Sequence, residues 1–72
     1  MEIVLYSKKA CPLSLSIRVW LTQRGHEFEE ILLDDAKEQA KFDSSFPGCE
    51  IPQVVIDGTP TGGFSQLIRL DL

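Results

Sequence analysis

One thiol in this chain stands where its ionised form is favoured. Cys11 is followed by Pro12, Leu13 and Ser14. Pro is common at the first helical position, because its missing N–H would be unpaired there anyway, so Cys11 marks a helix start. The unpaired N–H groups and the dipole at such a start attract an anion. Lys8 and Lys9 precede the thiol, Arg18 follows it, and no acidic residue lies between Glu2 and Glu27. The thiolate is the nucleophile of cysteine chemistry, and a free cysteine has a pKa of about 8.5. These surroundings predict a lowered pKa and a Cys11 reactive at neutral pH. The competing reading is a buried, inert structural cysteine. Ser14 stands where a Cys-x-x-Cys pair would carry its second thiol. Its hydroxyl can hydrogen-bond a thiolate but cannot resolve a mixed disulfide, so an outside thiol must release whatever Cys11 attacks.

The other candidates for chemistry are weaker. Cys49 lies three residues before Pro52 and could serve as a resolving thiol. A partly buried bystander is the favoured reading, because free cysteines are among the most buried residues. Few X–Pro bonds in folded proteins are cis, so the residues alone predict a trans Ile51–Pro52 bond. Gly62-Gly63 ahead of a helix can form an anion-binding nest of N–H groups, although such a pair is more often a simple turn. His26 reads as a loop or strand-start residue. Glu27–Glu30 and Asp34-Asp35 read as solvated strand and cap positions. Two Cys and one His make neither a structural zinc set nor a disulfide framework, and no metal site is expected.

A short βαβ unit is needed to hold Cys11 in this setting. Residues 2–7 are apolar and partly β-branched, which reads as a buried strand. Leu13, Ile17, Trp20 and Leu21 recur at helical spacing, and Gly25 is a natural stop, so a helix is expected over about 12–24. Glu27–Leu33 reads as a second strand, with Phe28, Ile31 and Leu33 available to the core. Asp34 or Asp35 can cap a second helix through Ala36, Ala40 and Phe42, ended by Asp43-Ser44-Ser45 and Pro47-Gly48. Gln53–Asp57 reads as a third strand, and Asp57-Gly58 as a hairpin turn into a fourth near Thr59–Thr61. Phe64–Leu70 completes the chain as a short helix. The order βαβαββα predicts an α/β fold: a small four-stranded mixed sheet with helices on its faces. Reactive groups in such folds lie at the carboxyl ends of strands, where Cys11 falls.

Composition bounds the remaining possibilities. The 72 residues are expected to form one domain, residues 1–72, and 43% apolar with 25% charged residues is ordinary for a globular chain. The formal net charge is −4, which disfavours a nucleic-acid partner. The start of the chain has neither signal-peptide nor membrane-span character, so a cytoplasmic location is expected.

Together these residues resemble the glutaredoxin family, over nearly the whole chain. The resemblance rests on Tyr6-Ser7-Lys8 with Cys11-Pro12, Gly25 after the first helix, Ile51-Pro52-Gln53-Val54, and Gly62-Gly63-Phe64-Ser65. It implies a thioredoxin-like fold and a glutathione-dependent thiol-disulfide oxidoreductase. Cys11 matches the nucleophile, with Ser14 beside it and Lys8 supporting both the thiolate and the glycine carboxylate of glutathione. Pro52 matches the family's cis-proline, which places the Ile51 backbone on the cysteinyl part of glutathione. Gly63, Phe64 and Ser65 match the segment that takes the γ-glutamyl end, and Leu13 lies on the ligand side of the thiol. The implied partners are glutathione and glutathionylated or disulfide-bonded proteins, with a monomer as the expected state.

The chain also departs from the family pattern. Ser14 stands in place of a second Cys and Leu13 in place of an aromatic residue. Glu50 replaces a common Thr, and Gln66 replaces a common acidic residue. Three alternatives follow from the resemblance. The first is a dithiol parent whose resolving Cys has been replaced by Ser14. The second is a dimer bridging an iron–sulfur cluster through Cys11-type thiolates and glutathione, which Pro12 disfavours. The third is a relative of the glutathione transferase N-terminal domain, which Gly62-Gly63-Phe64-Ser65 disfavours.

Overall fold

The structure is a computed structural model that describes residues 1–70 and residue 72. Its elements run β1 (Ile3–Ser7), α1 (Pro12–Gln23), β2 (Glu29–Leu32), α2 (Ala36–Ser45), β3 (Gln53–Ile56), β4 (Thr59–Gly62) and α3 (Phe64–Leu67). The strands form one sheet in the order β2-β1-β3-β4. β1 pairs parallel with β2 and antiparallel with β3, and β3 pairs antiparallel with β4. This is the four-stranded mixed sheet expected from the pattern of elements. Among the described residues no helix is long and apolar enough to cross a membrane.

The two faces of β1 serve two different packings, as strand alternation requires. Ile3 and Leu5 join Ile17, Leu21, Val54 and Leu67 in the core beneath α1 and α3, with Trp20, Phe28, Ile56 and Phe64 packed against it. On the other face, Tyr6 meets Phe42 and Phe46 of the α2 region with ring centroids 5.0 and 5.8 Å apart. These separations suit tilted aromatic contacts.

Local chemistry explains most of the boundaries. Gly25, at φ +75°, closes α1. His26 N–H donates to Leu21 O at 3.0 Å and Gly25 N–H donates to Thr22 O at 3.1 Å, the two bonds of a Schellman motif. Asp35, not Asp34, caps α2, its carboxylate accepting from Glu38 N–H at 2.7 Å. Asp57 and Gly58 both have positive φ, as a type I′ hairpin turn demands.

Several boundaries differ from expectation. β2 begins at Glu29, so Phe28 reaches the core from the preceding loop. α2 runs through Asp43-Ser44-Ser45 and stops at Phe46, just before Pro47, because Pro disfavours a helical residue ahead of it. α3 ends at Leu67. Beyond it, Arg69 N–H donates to Gln66 O and Leu70 N–H to Leu67 O, a tightening of the last turn into three-residue steps. The inward stripe of α1 is Ser14, Ile17 and Leu21, while Leu13 is 56% exposed. At 3.6 residues per turn, Ser14 falls within about 20° of Leu21 around the helix axis, and Leu13 about 80° away.

Candidate active site

Cys11 ends the loop that leaves the carboxyl end of β1. Lys9 N–H donates to the Asp34 carboxylate at 3.3 Å, tying this loop to the one after β2. Ala10 then adopts φ +54°, a left-handed backbone uncommon for a residue with a Cβ. Cys11 follows in extended geometry as the N-cap of α1, with Pro12 opening the helix, and its carbonyl accepts from Leu15 N–H at 3.3 Å.

Cys11 is half-buried as a residue and its thiol is free, and its pKa lies below the ordinary cysteine value. The largest cause is the Ser14 hydroxyl, followed by the Ser14 N–H. Partial burial opposes them, and the Leu13 N–H and the Arg18 charge add smaller effects in the lowering direction. Ser14 is fully buried, and its hydroxyl has no hydrogen-bond partner among the described residues. Ionisation of Cys11 supplies the acceptor that this hydroxyl lacks, which favours the thiolate. In a Ser14→Ala variant, the midpoint of Cys11 alkylation against pH is expected to move up. The rate at pH 7 falls, and the plateau in strong alkali stays. An unchanged midpoint would remove Ser14 from this role.

Arg18 is held in place from the sheet. Its Nε lies 3.3 Å from a Glu30 carboxylate oxygen, and that same oxygen accepts the buried Ser7 hydroxyl at 2.7 Å. Glu30 is therefore half-buried between β1, β2 and α1, and is not the solvated strand position expected from the sequence. Arg18, named in the sequence as one of the cations around Cys11, adds a small effect that lowers the thiol's pKa. Lys8 is exposed just past the end of β1.

Beside this helix start runs a groove of about 480 Å³, within the size range of small-ligand sites. It gathers Leu13, Ile51, Pro52, Gly63, Phe64 and Ser65, all of them candidates from the sequence. Cys11 and Lys8 are not among its lining residues; the groove reaches the helix start through Leu13. The Ile51–Pro52 bond is cis, which corrects the trans bond expected from the residues alone and agrees with the family resemblance.

Two glutamines shape the groove in ways that sequence reasoning missed. Gln53 is 4% exposed. Its side-chain amide donates to the Glu50 carbonyl at 3.2 Å and accepts from Gly62 N–H. One buried side chain thus ties the Glu50–Pro52 segment to the Gly62-Gly63 segment, the two walls of the groove. Gln66 accepts from Gly63 N–H at 3.0 Å. Two of the N–H groups in the possible anion nest are therefore already paired within the chain. The signal for Gln53 was a polar residue opening an otherwise apolar strand, Gln53-Val54-Val55-Ile56. Cys49 and Glu50 also line this groove.

A mixed four-stranded sheet with helices on both faces and a low-pKa cysteine after β1 defines the thioredoxin-like fold. Comparison with known proteins narrows the class. Residues 3–60 match the family model described as Glutaredoxin. Glutaredoxin 3 of Escherichia coli strain K12 is 27% identical over 71 residues, spanning 97% of this chain and 86% of that one. The crystal structure of glutaredoxin 1 from Francisella tularensis superposes with a TM-score of 0.75 at 26% identity, covering 94% of this chain and 88% of that one. A buckwheat glutaredoxin solved as a glutathione complex superposes with a TM-score of 0.77 at 24% identity, covering 93% of this chain and 64% of that one, and speaks for the fold alone. The chain belongs to the glutaredoxin family, whose members are glutathione-dependent thiol oxidoreductases.

Proposed function

We propose that this chain removes glutathione from protein mixed disulfides by a monothiol mechanism, with Cys11 as the nucleophile. One observation carries the reading: a thiol of lowered pKa at a helix start, with a serine hydroxyl where a resolving thiol would stand. Cys11 thiolate attacks the glutathione sulfur of the mixed disulfide. The Cys11–glutathione bond forms, the protein–glutathione bond breaks, and the protein thiolate leaves. A second glutathione, as thiolate, then attacks the glutathione sulfur carried by Cys11. Oxidised glutathione departs, and Cys11 is again a thiolate. Ser14 donates to the sulfur in both thiolate states and cannot compete with the second glutathione, because it has no sulfur to form a disulfide.

In this reading the tripeptide lies along the groove. The Ile51 backbone beside Pro52 pairs with the cysteinyl part. The γ-glutamyl end meets the Gly63–Ser65 segment, where Phe64 N–H, Ser65 N–H and the Ser65 hydroxyl are the donors for its carboxylate. Leu13 covers the sulfur side, and exposed Lys8 is available to the glycine carboxylate.

The test is turnover of a glutathionylated peptide with reduced glutathione. The release rate is expected to rise with glutathione concentration, with glutathionylated Cys11 as the accumulating form of the protein. Accumulation of a Cys11–Cys49 disulfide, or release independent of glutathione, would overturn the monothiol mechanism.

A further inference from the structure

The groove's charge does not match the ligand proposed for it. Among the described residues lining it, Glu50 is the one charged side chain, and it is exposed. The cations near the thiol, Lys8, Lys9 and Arg18, are not part of the lining. Glutathione carries two carboxylates against one ammonium, so it is anionic at neutral pH. Glu50 is not free to swing its backbone away, because buried Gln53 holds its carbonyl and, through Gly62, the opposite wall.

We propose that Glu50 is a specificity-determining residue of this groove, weakening anionic ligands and favouring neutral or cationic ones. The inference rests on the glutathione reading above and adds a charge preference to it. On the substrate side, it favours mixed disulfides in which basic residues flank the modified cysteine, because such a segment brings positive charge to the rim that Glu50 occupies. A single charge at roughly 6 Å in water-like surroundings changes affinity by about threefold. The effect fades with salt, since the Debye length is about 3 Å at 1 M.

The test uses two unreactive analogues, S-methylglutathione and its diethyl ester, which is cationic because both carboxylates are masked. Their dissociation constants are measured by NMR titration for the parent protein and for Glu50→Gln. At low salt, the substitution is expected to tighten S-methylglutathione about threefold and to weaken the diester by a similar factor. Both shifts should collapse at 1 M salt. A merely structural role would move both ligands in the same direction. Shifts of one sign, or no shift while parent Cys11 still accepts glutathione from oxidised glutathione, would overturn the charge preference and leave the proposed function standing. Failure of the parent to bind either analogue, with Cys11 unmodified by oxidised glutathione, would overturn both.

Discussion

Cys11→Ser is expected to lower glutathione-dependent peptide release by about three orders of magnitude or more, because it removes the nucleophile rather than tuning it. The fold should survive. Cys11 is a half-buried N-cap, and Ser is a favoured N-cap residue whose hydroxyl can accept from the first-turn N–H groups. Stability should therefore hold or rise slightly while activity vanishes, and that separation identifies a residue used for chemistry rather than packing. Peptide release is followed by chromatography, and stability by urea unfolding. Release at the parent rate would exclude Cys11 as the nucleophile.

Leu21→Ala is expected to produce the opposite pattern. Leu21 is fully buried against Leu5, Ile17, Val54 and Leu67. Truncation of a core leucine costs about 2–5 kcal/mol, from lost transfer energy and the cavity left behind. In a domain of this size each kcal/mol shifts the melting temperature by roughly 4–8 °C. The variant should therefore melt at least about 8 °C below the parent. Its urea midpoint should fall with little change in slope, as for a stability change alone. Where it remains folded, its Cys11 should alkylate with the parent's pH midpoint, because Ser14, Leu13 and Arg18 still surround the thiol. A loss below about 1 kcal/mol would mean that the core around Leu21 is less tightly filled than the structure shows.

The contrast between these two residues reflects what a sequence makes visible. Signals that act within a turn or two of chain were legible. Pro12, Gly25 and Asp57-Gly58 each meet a backbone requirement at their own position, and the structure uses them as expected. Asp34 and Asp35 were not separable, because either can cap α2 and the choice depends on a contact outside the helix: Asp34 instead accepts from Lys9 N–H, twenty-five residues earlier.

Residues whose roles depend on distant partners were misread or passed over. Glu30 lies in a run of acidic residues, and only the pairing of β2 with β1 brings it to Ser7 and Arg18. Gln53 is polar at the start of an apolar strand, and its meaning appears once β4 returns Gly62 beside it. The cis Ile51–Pro52 bond has no local signature and came only through the resemblance to known relatives. The same resemblance placed Leu13, Ile51, Pro52, Gly63, Phe64 and Ser65 along one groove, whereas Lys8 is not part of its lining.

The central claim is that Cys11, and not Cys49, carries glutathione. Cys49 lines the groove proposed for glutathione and Cys11 does not, so proximity to that groove and chemical preparation for attack point to different thiols. The direct measurement is a mass spectrum of the intact protein after incubation with oxidised glutathione at neutral pH, followed by peptide mapping. The expected result is a mass increase of one glutathione, mapped to Cys11 and reversed by excess reduced glutathione. A single glutathione mapped to Cys49, with Cys11 unmodified, would contradict the account.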